Sequence, residues 1–228
     1  MSGVTQSISS DFIEHVRLAL NLSVSYFRSG KGARQKTNGY TPHAFPAYVS
    51  AVAFVEARVN EVCLGPMARA AFSESPLWSI RDDTVEKMEL KTKLIVVSHL
   101  LFGSSFREGV APFQDFSTLV RIRNDVTHWK MDFAEPKYLP PLVQRGIAIS
   151  HPDSKSGHGD YPWPSKLSTL QGIRWAHNVA CQILRALHQL VPAEKQTEFD
   201  FLIAGAEEIS EQAIEKALAI PHSPIENA

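Results

Sequence analysis

Residues 121–130 read RIRNDVTHWK, which places two arginines, an asparagine and a histidine within about three turns of a stretch flanked by core-like apolar residues. These residue types suit one kind of chemistry. An imidazole, with an ordinary pKa of about 6.5, can take up or release a proton near neutral pH. A guanidinium presents forked donors to anionic oxygens, and an asparagine adds a neutral donor. Arg123, Asn124 and His128 are the candidates, because Asn124 and His128 lie four apart and share one flank of a helix.

The helix that must carry them begins near Pro112 and runs to about Phe133. Taking Phe116 as zero and a turn of about 100° per residue, Leu119, Val120, Val126 and Phe133 fall in one broad sector, with Arg123 inside it. A guanidinium pointed at a core needs a carboxylate partner. The second helix, about Phe45 to Leu64, offers one. On PAYVSAVAFVEARVNEVCLG the apolar face is read as Val49, Val52, Ala53, Val59 and Cys63, which puts Glu56 in its middle and Asn60 on its edge. Glu56 is therefore expected to approach Arg123, with Asn60 satisfying remaining donors; Glu61 belongs to the polar side. A buried ion pair that only fixes helix register would leave the same pattern.

The RNDVTH segment resembles the signature of the HEPN superfamily: an arginine, a polar residue directly after it, and a histidine separated from the arginine by four to six residues. Arg123, Asn124 and His128 match it residue by residue, and Arg121 to His128 fits the longer gap. The helix bearing FVEARVNE, the VEKMELKTKL helix before the motif, the proline-rich break after it and the closing helix with RWAHNVACQILRAL extend the likeness over roughly residues 8–192. The resemblance implies an all-α antiparallel bundle and a metal-independent endoribonuclease without cofactors. It also implies a homodimer in which two motifs face one cleft. His128 would then move the proton, Arg123 would stabilise the phosphorane-like charge, and Asn124 would donate a hydrogen bond or fix the histidine tautomer. A toxin or effector of a prokaryotic defence or toxin–antitoxin system, with a separate regulator or antitoxin, fits that family. The alternative is a non-catalytic HEPN-like dimerisation or RNA-binding module. Trp129 and Lys130 depart from the signature; Trp129 serves core packing, a dimer contact or base stacking, and Arg121 and Lys130 are further candidates for RNA contact.

Other candidates are weaker in pattern. The loop RSGKGARQK holds Arg28, Lys31, Arg34 and Lys36 without an acid; it is a solvated loop or a phosphate contact near the motif, and it lacks the P-loop frame. HPDSKSGHGD gathers His151, Asp153, His158 and Asp160, but the spacing matches no common metal site, so no metal is expected. His177 and His188 read as surface or boundary residues.

The rest of the chain constrains these readings. With 228 residues and 44% hydrophobic content, one domain over 1–228 is expected. Twenty-three basic against 24 acidic residues give a net charge of -1, so any RNA contact must be local rather than a general basic coating. Cys63 and Cys181 fall on apolar helix faces and imply no disulfide. No signal segment or apolar run of about 20 residues is found, which points to a soluble cytoplasmic protein with no membrane partner. Periodicity predicts further helices to about Tyr26 from a cap at residues 9–11, over Asp83 to Phe102, over Leu167 to Leu190, and a mixed-charge helix within residues 193–218. Residues 134–166 hold six of the 14 prolines and are read as an irregular insertion, with a short hairpin around Gly146 as one option.

Overall fold

The computed structural model describes residues 8–29, 40–128, 134–150 and 162–220. Its elements in chain order are α1 (Ile8–Arg28), α2 (Ala44–Leu64), α3 (Pro66–Ala71), α4 (Asp82–Lys87), α5 (Leu90–Phe102), α6 (Phe113–Thr127), α7 (Leu139–Gln144), α8 (Leu170–Leu190) and α9 (Glu211–Ala219). Three 3-10 segments, Pro76–Ser79, Trp163–Leu167 and Ala193–Leu202, lie between them. No strand occurs among the described residues; a single antiparallel bridge joins Tyr40 and Thr169. The all-α class is as the periodicity requires.

Several boundaries differ from the sequence reading for local reasons. The expected helix over Asp83 to Phe102 is two, because Met88 and Glu89 take extended ψ values of 138° and 136°. That break leaves Glu86 O without its in-helix donor, and the Lys93 ammonium supplies one at 3.1 Å. The closing helix starts at Leu170, not Leu167. Thr169 caps it, its Oγ1 accepting from Gly172 N at 2.8 Å while donating to Ile147 O at 2.6 Å. After Pro192 the chain forms a 3-10 segment, and α9 is confined to nine residues.

The proline-rich insertion contains a helix. Pro140 and Pro141 occupy the first turn of α7, where a missing N–H breaks no hydrogen bond. Gly146, at φ 68°, ends the helix with Gly146 N bonded to Val143 O and Ile147 N to Leu142 O. This left-handed helix end stands where a hairpin was the option. Leu139, Leu142, Ile147 and Ala148 are buried, so this part of the insertion packs.

The chain divides into two compact units, one of Met1–Ile13, Ala51–Val120 and Val179–Glu208, the other of Glu14–Ser50, Arg121–Asn178 and Ile209–Ala228. The first buries Phe54, Val55, Val62, Leu94, Phe116, Leu119 and Leu184 around an aromatic cluster in which Phe102 meets Phe72 and Phe199 edge-on at 5.5 and 5.9 Å. The second buries Val16, Leu20, Tyr48, Ile122, Leu142, Leu167 and Ile173. In it the Tyr48 hydroxyl donates to Leu167 O at 2.7 Å and sits against Gly172, where an added Cβ would lie 2.1 Å from the hydroxyl. Cys63 and Cys181 are buried and form no disulfide. No helix among the described residues is long and apolar enough to cross a membrane.

Candidate functional site

The motif helix changes character along its length. Phe113, Phe116, Leu119, Val120 and Ile122 of α6 are buried. From Arg123 to His128 no residue is fully buried: Asn124, Asp125, Thr127 and His128 are exposed, as is Arg121 before them, and Arg123 and Val126 are half-buried. His128 N donates to Asn124 O at 2.9 Å, so the helical hydrogen-bond register continues to the histidine. Asn124 and His128 therefore stand one turn apart on one exposed flank. Thr127 Oγ1 donates back to Arg123 O at 2.7 Å, adding a second local bond to this last turn.

Arg123 points inward only in part. Its Nε is buried and finds no hydrogen-bond partner, and among the described residues neither Arg123 nor Arg121 enters an ion pair. Glu56 is half-buried and also in no ion pair there, so the carboxylate expected on Arg123 is not seen on it. Asn60 is engaged elsewhere: its Oδ1 accepts from Lys93 Nζ at 2.7 Å. The physical cause is the facing of α2. Its buried positions are Ala44, Ala47, Tyr48, Ala51, Val52, Phe54, Val55, Arg58, Val59, Val62 and Cys63, an arc whose centre lies about 100° from the face read in the sequence. Val49 is exposed, Glu56 falls just outside the arc, and Arg58 lies within it.

Among the described residues Arg58 is thus the buried guanidinium. Its Nη1 donates to Glu61 Oε2 at 3.0 Å, its Nη2 reaches Ala204 O and Ser10 Oγ at 3.5 Å, and it lies 5.8 Å from the Phe54 ring centre. Lys93 is also buried, its ammonium bonded to two oxygen acceptors and to no carboxylate among the described residues. The ARVNE spacing, with Arg58 and Glu61 three apart, carried a signal for the first; nothing in the sequence singled out the second.

Asp125, inside the motif, accepts from the Tyr138 hydroxyl at 2.8 Å. Tyr138 is half-buried, edge-on to Trp163 at 6.2 Å, and immediately precedes α7. Burial, then the hydrogen bond to Asp125 and the charge of that carboxylate, push its phenol well above the ordinary tyrosine range. Asp125 and Tyr138 were not among the residues the sequence suggested.

The remaining candidates are dispersed. Arg28 is the half-buried last residue of α1. Lys31, Arg34, Lys36, Trp129, Lys130 and the histidines and aspartates of HPDSKSGHGD lie outside the described residues. Among the described residues no group of three or more His, Cys, Asp or Glu side chains is placed to hold a metal ion. His177 is fully buried rather than at the surface, with Nδ1 3.3 Å from Asn178 Oδ1. His188 is largely covered, its Nε2 lying 3.1 Å from Asp200 Oδ1. No family model, curated protein or solved structure matches the chain.

Proposed function

We propose that the chain is a metal-independent endoribonuclease with a HEPN-like fold, acting as a homodimer on RNA. In this reading it is the toxin or effector of a prokaryotic defence or toxin–antitoxin system, held in check by a separate regulator. The observation that carries the proposal is the end of α6. There an arginine without an ion-pair partner among the described residues, an exposed asparagine and an exposed histidine occupy consecutive turns of one helix.

The chemistry follows from the groups. The RNA 2′-hydroxyl attacks the adjacent phosphorus and loses its proton to one His128 imidazole, while the bond to the 5′-oxygen breaks and that oxygen receives a proton from a second imidazole. Each subunit offers one such histidine, so the reading needs the symmetry mate. Arg123 meets the charge that gathers on the nonbridging oxygens. Its guanidinium has forked donors for them, and among the described residues it holds no carboxylate to release first. Asn124 adds a neutral donor on the same flank as His128. The products are a 2′,3′-cyclic phosphate and a 5′-hydroxyl.

The test is cleavage of total cellular RNA by the full chain with a chelator present, with analysis of the fragment ends. Wild type is expected to cleave, and His128→Ala to lose at least about a hundredfold in rate with an unchanged thermal transition, because the side chain is exposed. Equal cleavage by His128→Ala would remove the catalytic assignment. Binding of RNA without cleavage by wild type would favour the non-catalytic dimerisation or RNA-binding module instead.

A further inference from the structure

We infer that Tyr138, acting through Asp125, is a positioning residue that holds the last turn of α6 and thereby the placement of His128. Little else fixes that turn. Ile122 is the last fully buried residue of α6, and every residue from Thr127 of the helix to His128 is exposed. Helix ends fray unless their groups are tied down. The ties within α6 are the His128 N to Asn124 O bond and the Thr127 hydroxyl on Arg123 O, both local to the helix. Asp125 alone of residues 123–128 makes a side-chain hydrogen bond to another part of the chain among the described residues, and its partner is Tyr138 at 2.8 Å.

Tyr138 is built to serve as an anchor. Its ring packs edge-on to Trp163, itself buried, and Leu139 and Leu142 just after it are buried as well. The phenol therefore has a fixed position from which to donate, and its raised pKa keeps it protonated through neutral pH. A phenol so held is a poor proton source, which separates its role from that of His128. Asp125 lies three residues before His128, on the neighbouring turn. A second consequence concerns charge. Asp125 is four residues after Arg121, within reach of a helical ion pair, yet its carboxylate is engaged by Tyr138 and Arg121 has no ion-pair partner among the described residues. The strap thus holds the imidazole in place while keeping the one acid of the motif occupied.

The catalytic arm of this inference rests on the ribonuclease reading, and the structural arm does not. Three variants of the full chain decide it. Tyr138→Phe keeps the ring against Trp163 and removes only the donor; Asp125→Ala removes the acceptor; Asp125→Asn keeps an oxygen that can accept from Tyr138. Amide hydrogen exchange at Thr127 and His128 is expected to speed up about fivefold or more in Tyr138→Phe and Asp125→Ala, and to stay within about twofold of wild type in Asp125→Asn. On a single-stranded RNA oligonucleotide, kcat is expected to fall about tenfold in the first two with KM within about twofold, and to be retained in Asp125→Asn. Unchanged exchange in Tyr138→Phe, or Asp125→Asn as impaired as Asp125→Ala, overturns the inference. If wild type cleaves no RNA, the ribonuclease reading falls and the exchange measurement still decides the strap.

Discussion

Arg58 is 3% exposed, and its guanidinium is distributed over the Glu61 carboxylate, the Ala204 carbonyl and the Ser10 hydroxyl. Removing such a group leaves the carbonyl without its donor and opens space beside Phe54. Arg58→Ala is therefore expected to lower the unfolding free energy by about 2–3 kcal/mol, less than a fully buried pair because Glu61 reaches water. Arg58→Met, which keeps the stem, should lose less. Arg123→Ala is expected to cost under about 1 kcal/mol, since its Nε is buried without a hydrogen-bond partner among the described residues. Urea unfolding of the three variants checks this; equal losses for Arg58→Ala and Arg123→Ala would contradict it. The contrast also shows what the sequence could convey. That an arginine is buried was legible as a rule, but which arginine depended on helix facing. Asp125 carried no distinguishing mark, because its partner, Tyr138, is 13 residues away in sequence, and helical periodicity does not pair residues at that separation.

At the scale of elements, legibility tracks how uneven a helix is. α8 has polar and apolar residues well separated, and its buried Ile173, Ala176, Val179, Ala180, Ile183 and Leu187 are those its spacing predicts. α2 is small and apolar nearly all round, so Val49 and Val55 are equal candidates for the core and only packing selects Val55. α7 was hidden by its prolines, which break a helix interior but fit a first turn. The first turn of α8 makes a contact no periodicity could announce, the seating of the Tyr48 hydroxyl on Gly172. In Gly172→Ala the new methyl would meet that hydroxyl at 2.1 Å and the Leu167 carbonyl at 3.0 Å, so a loss of about 2–3 kcal/mol is expected. Tyr48→Phe removes the nearer obstacle. Combining the two should cost less than the sum of the single losses, and thermal melts that gave simple additivity would place the clash elsewhere.

For the whole molecule, the titration of buried neutral groups sets a limit on stability at high pH. Burial pushes the Cys63 thiol up from 9.0 to about 12, with the nearby Lys93 charge opposing the rise. Burial also pushes Tyr48 above its ordinary 10, and burial together with Asp125 does the same for Tyr138. Each group is neutral when protonated, so a raised folded-state pKa means that the fold favours the protonated form. The resulting stability is fully present below the unfolded pKa and is lost as pH rises through the window up to the folded value. For Cys63 that window runs from 9.0 to about 12, with a slope approaching about 1.4 kcal/mol per pH unit. The tyrosines join above 10.0. With 23 basic and 24 acidic residues, net charge near neutrality is small, so overall self-repulsion does not mask the effect at its onset. Urea midpoints of wild type and Cys63→Ala are therefore expected to run parallel up to about pH 9 and to converge above it, the variant lacking the thiol's share of the alkaline loss. A constant offset between the two through pH 10 would mean that the Cys63 thiol ionises as freely in the folded chain as in the unfolded one, and that the burial of α2 assigned to it is wrong.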